Sequence, residues 1–474
     1  MYSAQPGSAP GGCLLWSGSF SQQQRDEMAA ITRRASLAGM AGMAGLAAAS
    51  GLAGTSRAQP APQPPIPPQG IASRRIKHIS YSDVGGRSDT VQIMLNRGHL
   101  YVGHMFTDGV TTLDARDPRN LKPVHFFRTA PNTRTHHLQV SDDLMLLGNG
   151  ANIVRMQSYD SLRGYFENNV ADSLTNRVPF RSGLSIHDIS KPAEPREIAF
   201  LEMPGIGINR LWWPGGRYAY VSAHFDGFTD HILCIVDLKT ITKPEIVSKW
   251  WLPGMNRAAG ETSKNPQGKR WALHHMITAG NRGYAAWRDG GFTIHDISDP
   301  TNPKLLSHIN WSPPFPGGTH TPLPLPGRKL AVVADESNAD FCAKGHFPTW
   351  ILDVRADDNP VPIATMPEPS DRNDYCKLGN FGPHNLHENR PGSFQSEETI
   401  FATYHDAGVR VFDIRNQFEP KELAYWVPPP PVKMFDPRPN VAKCAMTCDC
   451  YVTPSGLMYV SDWNGGLHVL QYEG

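Results

Sequence analysis

From about residue 75 onward, hydrophobic positions fall in short runs of four to eight, many alternating apolar with polar, separated by Gly, Pro, Asn or Asp. That period of two predicts β-strands, and no apolar period of 3.6 in the second half of the chain is long enough for a helix. One unit recurs: an apolar strand ending in Asp, a turn, then a Pro and a second strand. It reads VTTLDARDPRNLKPV at Asp114, LSIHDISKPAEPREI at Asp188, LCIVDLKTITKPEIV at Asp237 and FTIHDISDPTNPKLL at Asp296. TWILDVRADDNPVPI at Asp353 and VRVFDIRNQFEPKEL at Asp413 continue it, and GGLHVLQYEG at the C-terminus is a seventh copy cut before its Pro.

From Asp188 onward the copies lie about 50 to 60 residues apart, the length of a four-stranded propeller blade. The longer interval between Asp114 and Asp188 holds residues 154–180, an inserted excursion. Because the last copy stops early and the repeats are preceded by IKHISYSDVGG, the expected fold is an all-β, seven-bladed β-propeller closed by an N-terminal strand. It occupies 74–474. Residues 59–73 form a Pro-rich linker. Residues 1–58 read as a twin-arginine-type signal region, with Arg33 and Arg34, an uncharged Ala/Gly/Leu run and a small-residue site at Ser56-Arg57-Ala58; Met28 is an alternative start. A periplasmic or secreted protein follows, with no membrane span after cleavage.

Composition narrows the partners. Lys and Arg number 45 against 44 Asp and Glu, so no global field draws the chain to nucleic acid or an anionic membrane, and a small molecule is the expected partner. Of the 7 cysteines, Cys13 lies in the signal region. Cys444, Cys448 and Cys450 form a CxxxCxC cluster, read as a disulfide with Cys342 and Cys376 forming another; a soft-metal site is the alternative.

The units LCIVDLKTITKPEIVSKW and GLSIHDISKPAEP, with GGTHTPLPLPGRKLAVVADES, FGPHNLHENRPGSF and GLMYVSDWNGGLHVLQYEG, resemble the bacterial LVIVD-repeat proteins over about residues 75–474. That resemblance implies an exported β-propeller and implies little about reaction. In architecture the family is distantly similar to the selenium-binding-protein type of methanethiol oxidase, with no stretch matching motif for motif.

Candidate chemistry emerges when the stretches entering the innermost strands are aligned: RTHHLQV, GINRLWW, ALHHMIT, GTHTPLP, GPHNLHE and MTCDCYV. One column holds His136, Asn209, His274, His320, His384 and Cys448. Strands packed around an axis point such a column inward, so His136, His274, His320 and His384 are the expected ligands of a transition metal, Fe or Cu favoured and Zn possible. His137 and His275, next in sequence, are expected to face away. His187 and His295, both in IHDIS, recur on an outer strand and read as structural. Glu388 and Asp449 are candidates to orient the ligands, and Arg210 either meets an anion or pairs with a buried carboxylate. A ring at the channel mouth is expected from His104, His224, Trp287, Asp335, Tyr404 and His405, with His275, Trp287 and Tyr404 counted among possible substrate contacts. GxSxG, P-loop, HExxH and dinucleotide motifs are absent. The reading is a metal-dependent oxidase or oxygenase of a small molecule; a non-catalytic binding propeller and a metal-dependent hydrolase or lactonase are the alternatives.

Overall fold

The computed structural model describes residues 70–156, 178–266, 268–369 and 372–474. The signal region, most of the Pro-rich linker and most of the 154–180 excursion lie outside the described residues. Among those described, the chain is all-β, with only short helical turns, and no helix is long and apolar enough to cross a membrane.

The fold is a β-propeller built from four-stranded antiparallel meanders. The first is Thr90–Asn96, His99–His104, Gly109–Asp114 and Lys122–Arg128, hydrogen-bonded in that order. Later meanders repeat this order, for example Gly207–Trp212, Tyr218–His224, Ile232–Asp237 and Glu245–Trp250. Two N-terminal strands pair far ahead in sequence. Ile76–Ser82 runs antiparallel to Gly466–Tyr472, and Ala72–Arg74 pairs with Tyr425–Val427.

The recurring Asp has one local task. Asp114, Asp188, Asp237, Asp296, Asp353 and Asp413 each accept, through Oδ1, the backbone N–H two residues on, at 2.8–3.1 Å. This side-chain turn ends the third strand and starts the return to the fourth. Pairing between those two strands shifts register one or two residues before each Asp, as between Ile294 and His295 or Val411 and Phe412. His187 and His295 follow such shifts and are buried; His187 stacks on Phe127 at 4.8 Å and His295 lies edge-on to Trp250 at 4.4 Å, in keeping with a structural role. Apolar residues fill the space between neighbouring sheets: Val221 and Ile235 of one share a cluster with Leu273 and Ile277 of the next. Full burial of each such side chain contributes about 1.5–3 kcal/mol.

The cysteines divide. Cys342 and Cys376 are joined as a disulfide, whereas Cys444, Cys448 and Cys450 are buried thiols, which corrects the reading of the CxxxCxC cluster as a disulfide. Cys448 packs with Met446 and Trp463, and Cys450 with Phe401 and Val460, so the two point into separate apolar clusters.

Candidate functional site

Four of the innermost strands carry a β-bulge at the aligned column. Ile208 lies opposite Ala223 and Arg210 opposite Ser222, leaving Asn209 as the extra residue. His320 is extra between Thr319 and Thr321, and Cys448 between Thr447 and Asp449. Residues 272–274 bulge between Trp271 and His275. A bulge interrupts the pleat and re-aims the side chain it carries. The bulged Asn209, His274 and His320 meet His136 and His384, which lie outside the strands, at one cavity of about 30 Å³ shared with Arg134, Arg288 and Glu336. That volume suits an ion or a couple of waters. Cys448, the last member of the column, instead donates its thiol to the Met446 carbonyl at 3.0 Å.

The adjacent imidazoles behave differently at their two sites. His275 faces away from the cavity, edge-on to Trp212 with ring centroids 6.2 Å apart and Nδ1 3.5 Å from Glu388 Oε1. His137 lines the cavity beside His136, ring centroids 4.0 Å apart, contrary to the outward placement expected of it. The reason is local: both precede the strand Leu138–Ser141, so strand alternation does not govern them.

Three donors converge most closely. His320 Nε2 lies 3.7 Å from Glu336 Oε2 and His384 Nε2 lies 3.5 Å from Glu336 Oε1. Among the described residues this is the group whose ligand-type atoms all fall within 4.8 Å of one another. His274 stacks on His320, ring centroids 3.5 Å apart, and with His136 lies on the same wall outside that group.

The other ring nitrogens are fixed. His274 Nδ1 donates to the His320 carbonyl at 3.1 Å and His384 Nδ1 to the Cys448 carbonyl at 2.6 Å. Thr321 Oγ1 uses its proton on Asn385 Oδ1, so it accepts from His320 Nδ1 at 2.8 Å. In all three rings Nδ1 carries the proton and Nε2 keeps its lone pair. Burial pushes the pKa values of His136, His137, His274, His320 and His384 well below the ordinary imidazole value, so these rings are neutral. Glu336 forms an ion pair with Arg288.

The GGTHT stretch explains how His320 meets Glu336. Glu336 N–H donates to the Gly318 carbonyl at 2.7 Å, and Gly318 has φ +84° with room for a Cβ only 2.6 Å from the Glu336 carbonyl oxygen. Only glycine allows this approach.

Beneath the imidazoles lies a buried ionic layer. Arg210 Nη2 donates to Glu388 Oε1 at 2.7 Å and its Nη1 to Asn385 Oδ1 at 3.1 Å, while Arg390 pairs with the other Glu388 oxygen. Arg210 therefore pairs with a buried carboxylate, and Glu388 sits between two guanidinium groups and His275. Asp449 accepts from the Ile93 N–H at 3.3 Å, its pKa raised by burial against the opposing pull of Arg210 and Arg390.

The expected mouth ring is packing for the most part. Trp287 lies in the apolar core, its Nε1 donating to Thr293 Oγ1 at 2.8 Å, and Tyr404 packs with Phe412, so neither is on the cavity wall. His104 donates or accepts at Thr111 Oγ1, and His224 Nδ1 accepts from the Ile206 N–H at 3.0 Å. Asp335 Oδ2 accepts from the indoles of Trp311 and Trp350 at 2.8 and 2.9 Å, and burial pushes its pKa up to about 7. His405 is nearest the site, its ring 4.8 Å from that of His384. Glu336 was not foreseen: it follows Asp335 by one residue, and that single step moves a side chain from the interior of the sheet packing to the cavity.

Comparison with known proteins matches residues 278–310 to the LVIVD repeat. No curated protein sequence matches the chain. Among solved structures, the chain is similar to the periplasmic gluconolactonase of Pseudomonas aeruginosa, at 11% identity and a TM-score of 0.48, covering 81% of this chain and 98% of that one. It is also similar to a chain of a mitotic checkpoint complex, at 9% identity and a TM-score of 0.49, covering 90% and 99%. A functionally unknown protein from Desulfotomaculum acetoxidans gives 11% identity and a TM-score of 0.45, covering 75% and 89%. Likeness at this level says nothing about activity.

Proposed function

We propose that this chain is an exported, metal-dependent propeller enzyme acting on a small molecule, with His320, His384 and Glu336 as the ligands of a divalent transition metal. In this reading the ring has seven blades, the last completed by Ile76–Ser82 on Gly466–Tyr472. The observation that carries it is the convergence of two neutral imidazoles and one carboxylate, their donor atoms within 4.8 Å, on a buried cavity. Two His and one carboxylate are the donor set of non-haem Fe(II) oxygenases, so oxidation is the leading reaction and Fe(II) the leading metal, ahead of Cu.

The residues fit such an ion. Each His offers Nε2 because Nδ1 is committed to an acceptor, the arrangement that fixes ring orientation in metal sites. A bound metal supplies open coordination positions where O₂ or a substrate oxygen is polarised. Arg288 pairs with the Glu336 carboxylate and orients it. His274, stacked on His320, limits the rotation of that ring, and His136 and Asn209 line the same cavity. The same donor set serves hydrolytic zinc, which keeps a lactonase or related hydrolase as the second reading.

Elemental analysis of the full-length protein recovered after export, beside His320→Ala and Glu336→Gln, tests the proposal. About one equivalent of Fe or Cu, lost in both folded variants, supports the oxidase or oxygenase; zinc supports the hydrolase. Absence of metal in all three proteins after supplementation with Fe, Cu and Zn overturns the reading in favour of a binding propeller.

A further inference from the structure

The three converging donors come from two neighbouring blades. His320 and Glu336 belong to one, where the strands Thr319–Leu325 and Leu330–Asp335 pair and the Glu336 N–H reaches the Gly318 carbonyl. His384 belongs to the next, its N–H donating to the Thr403 carbonyl at 2.8 Å. Hydrogen bonds within one sheet therefore fix His320 against Glu336, whereas the distance from Glu336 to His384 is set by contacts between blades.

Those contacts run as a short ladder between residues 337–342 and 376–383. Beside the donors, the Ser337 N–H donates to the Pro383 carbonyl at 3.0 Å. Ser337 Oγ donates to Asn380 Oδ1 at 2.6 Å, and Asn380 Nδ2 donates to the Ser337 carbonyl at 3.0 Å. The Phe341 N–H donates to the Gly379 carbonyl at 2.6 Å, and the Cys342–Cys376 disulfide closes the far end. That far end is strained. Phe341 and Cys342 are consecutive non-glycine residues at φ +57° and +54°, in the left-handed region, which persists for such residues where the surrounding structure over-determines it. Phe341 is 56% exposed, so the turn is held by the disulfide and by its backbone bonds, the one to Gly379 among them, rather than by burial. With the S–S bond broken, no cross-link opposes relaxation of this turn, and the ladder that joins Glu336 to His384 loses its anchor.

We infer that the Cys342–Cys376 disulfide positions His384 against Glu336 and His320, so that the chain binds its metal at full strength only when the bond is formed. The inference rests on the metal reading of these three donors. A dithiol breaks the bond by exchange: two electrons and two protons pass to Cys342 and Cys376, and the reductant leaves as its cyclic disulfide. Oxidised glutathione re-forms it, leaving as two reduced molecules. Loading of the site thereby depends on the redox poise of the compartment that holds the chain.

Titration of the full-length protein with Co²⁺, followed by visible absorption, tests this; the signal counted is the part that His320→Ala lacks. The forms compared are the oxidised parent, the parent reduced with dithiothreitol and then freed of it, and the double variant Cys342→Ser with Cys376→Ser. Both disulfide-free forms should bind Co²⁺ at least about tenfold more weakly than the oxidised parent, the scale on which groups that orient metal ligands act. Treating the reduced parent with oxidised glutathione should restore its affinity. Ile235→Ala opens a cavity between two other blades, destabilises the fold without touching the ladder, and should leave the affinity unchanged. Equal affinity with and without the disulfide overturns the inference and leaves the metal reading standing. So does an equal weakening in Ile235→Ala, or loss of the near-ultraviolet dichroism in both disulfide-free forms, since the bond then supports the fold at large. An oxidised parent without that Co²⁺ signal overturns the metal reading, and this inference with it.

Discussion

Removing the imidazole of His295 should flatten the acid dependence of stability by a calculable amount. His295 is fully buried, and its pKa is pushed down to about 3, first by burial and then by the neighbouring charge of His308. Trp287 Nε1 donates to Thr293 Oγ1 at 2.8 Å, and the same hydroxyl meets His295 Nε2, also at 2.8 Å. An unfolded histidine titrates near ~6.5. Between pH 3 and 6.5 the unfolded chain therefore holds a proton that the folded chain lacks, and stability rises with pH across that window. The contribution is complete above the unfolded value and is lost as pH falls toward the folded one. At pH 5 the loss is about 1.5 units of roughly 1.4 kcal/mol each, about 2 kcal/mol relative to pH 7. His295→Gln keeps an acceptor near the Nε2 position but does not titrate. Urea unfolding at pH 7 and pH 5 should show the variant less stable at pH 7, by about 1 kcal/mol for the lost edge contact with Trp250. The gap between its two pH values should nevertheless be about 2 kcal/mol smaller than that of the parent. Equal gaps in the two proteins would refute the assignment of a neutral, proton-refusing imidazole at this position.

Other perturbations have defined outcomes. Glu388→Gln leaves Arg210 and Arg390 without their shared carboxylate and should cost about 3–5 kcal/mol, read by urea denaturation; a loss below about 1 kcal/mol would mean the layer is hydrated rather than ion-paired. Gly318→Ala forces a Cβ to within 2.6 Å of the Glu336 carbonyl at a left-handed φ, and should lower the melting temperature by several degrees while Gly345→Ala, in open space, changes it less. Reducing the Cys342–Cys376 bond, which spans a sequence separation of 34, should cost about 3–4 kcal/mol by the loop-entropy relation, measured as the shift of the urea midpoint with and without reductant.

The propeller was legible because its repeat is written in local rules: alternation, a turn-forming Asp and a Pro that starts the return strand. The histidine column was legible for the same reason, since alignment of repeats needs no knowledge of tertiary contacts. What alternation could not supply was the bulge at Asn209, His320 and Cys448, which decides where each column residue points. It also misplaced the mouth ring. Trp287 and Tyr404 end strands at positions that face the packing between sheets, and Asp335 is held by two indoles, so the residue that reaches the cavity is the next one, Glu336. A carboxylate one step past a strand end carries no mark in one sequence that separates it from any polar loop residue. The pairing of Arg210 with Glu388 joins residues far apart in the chain, so only the closed ring could reveal it.

The ionic layer under the imidazoles also sets traffic. With Arg210 and Glu388 completely enclosed and Arg390 sealing the far side, the histidine cavity is a cul-de-sac. An ion or water at Glu336 therefore has no way out past Arg210 and Glu388 and exchanges only on the imidazole side.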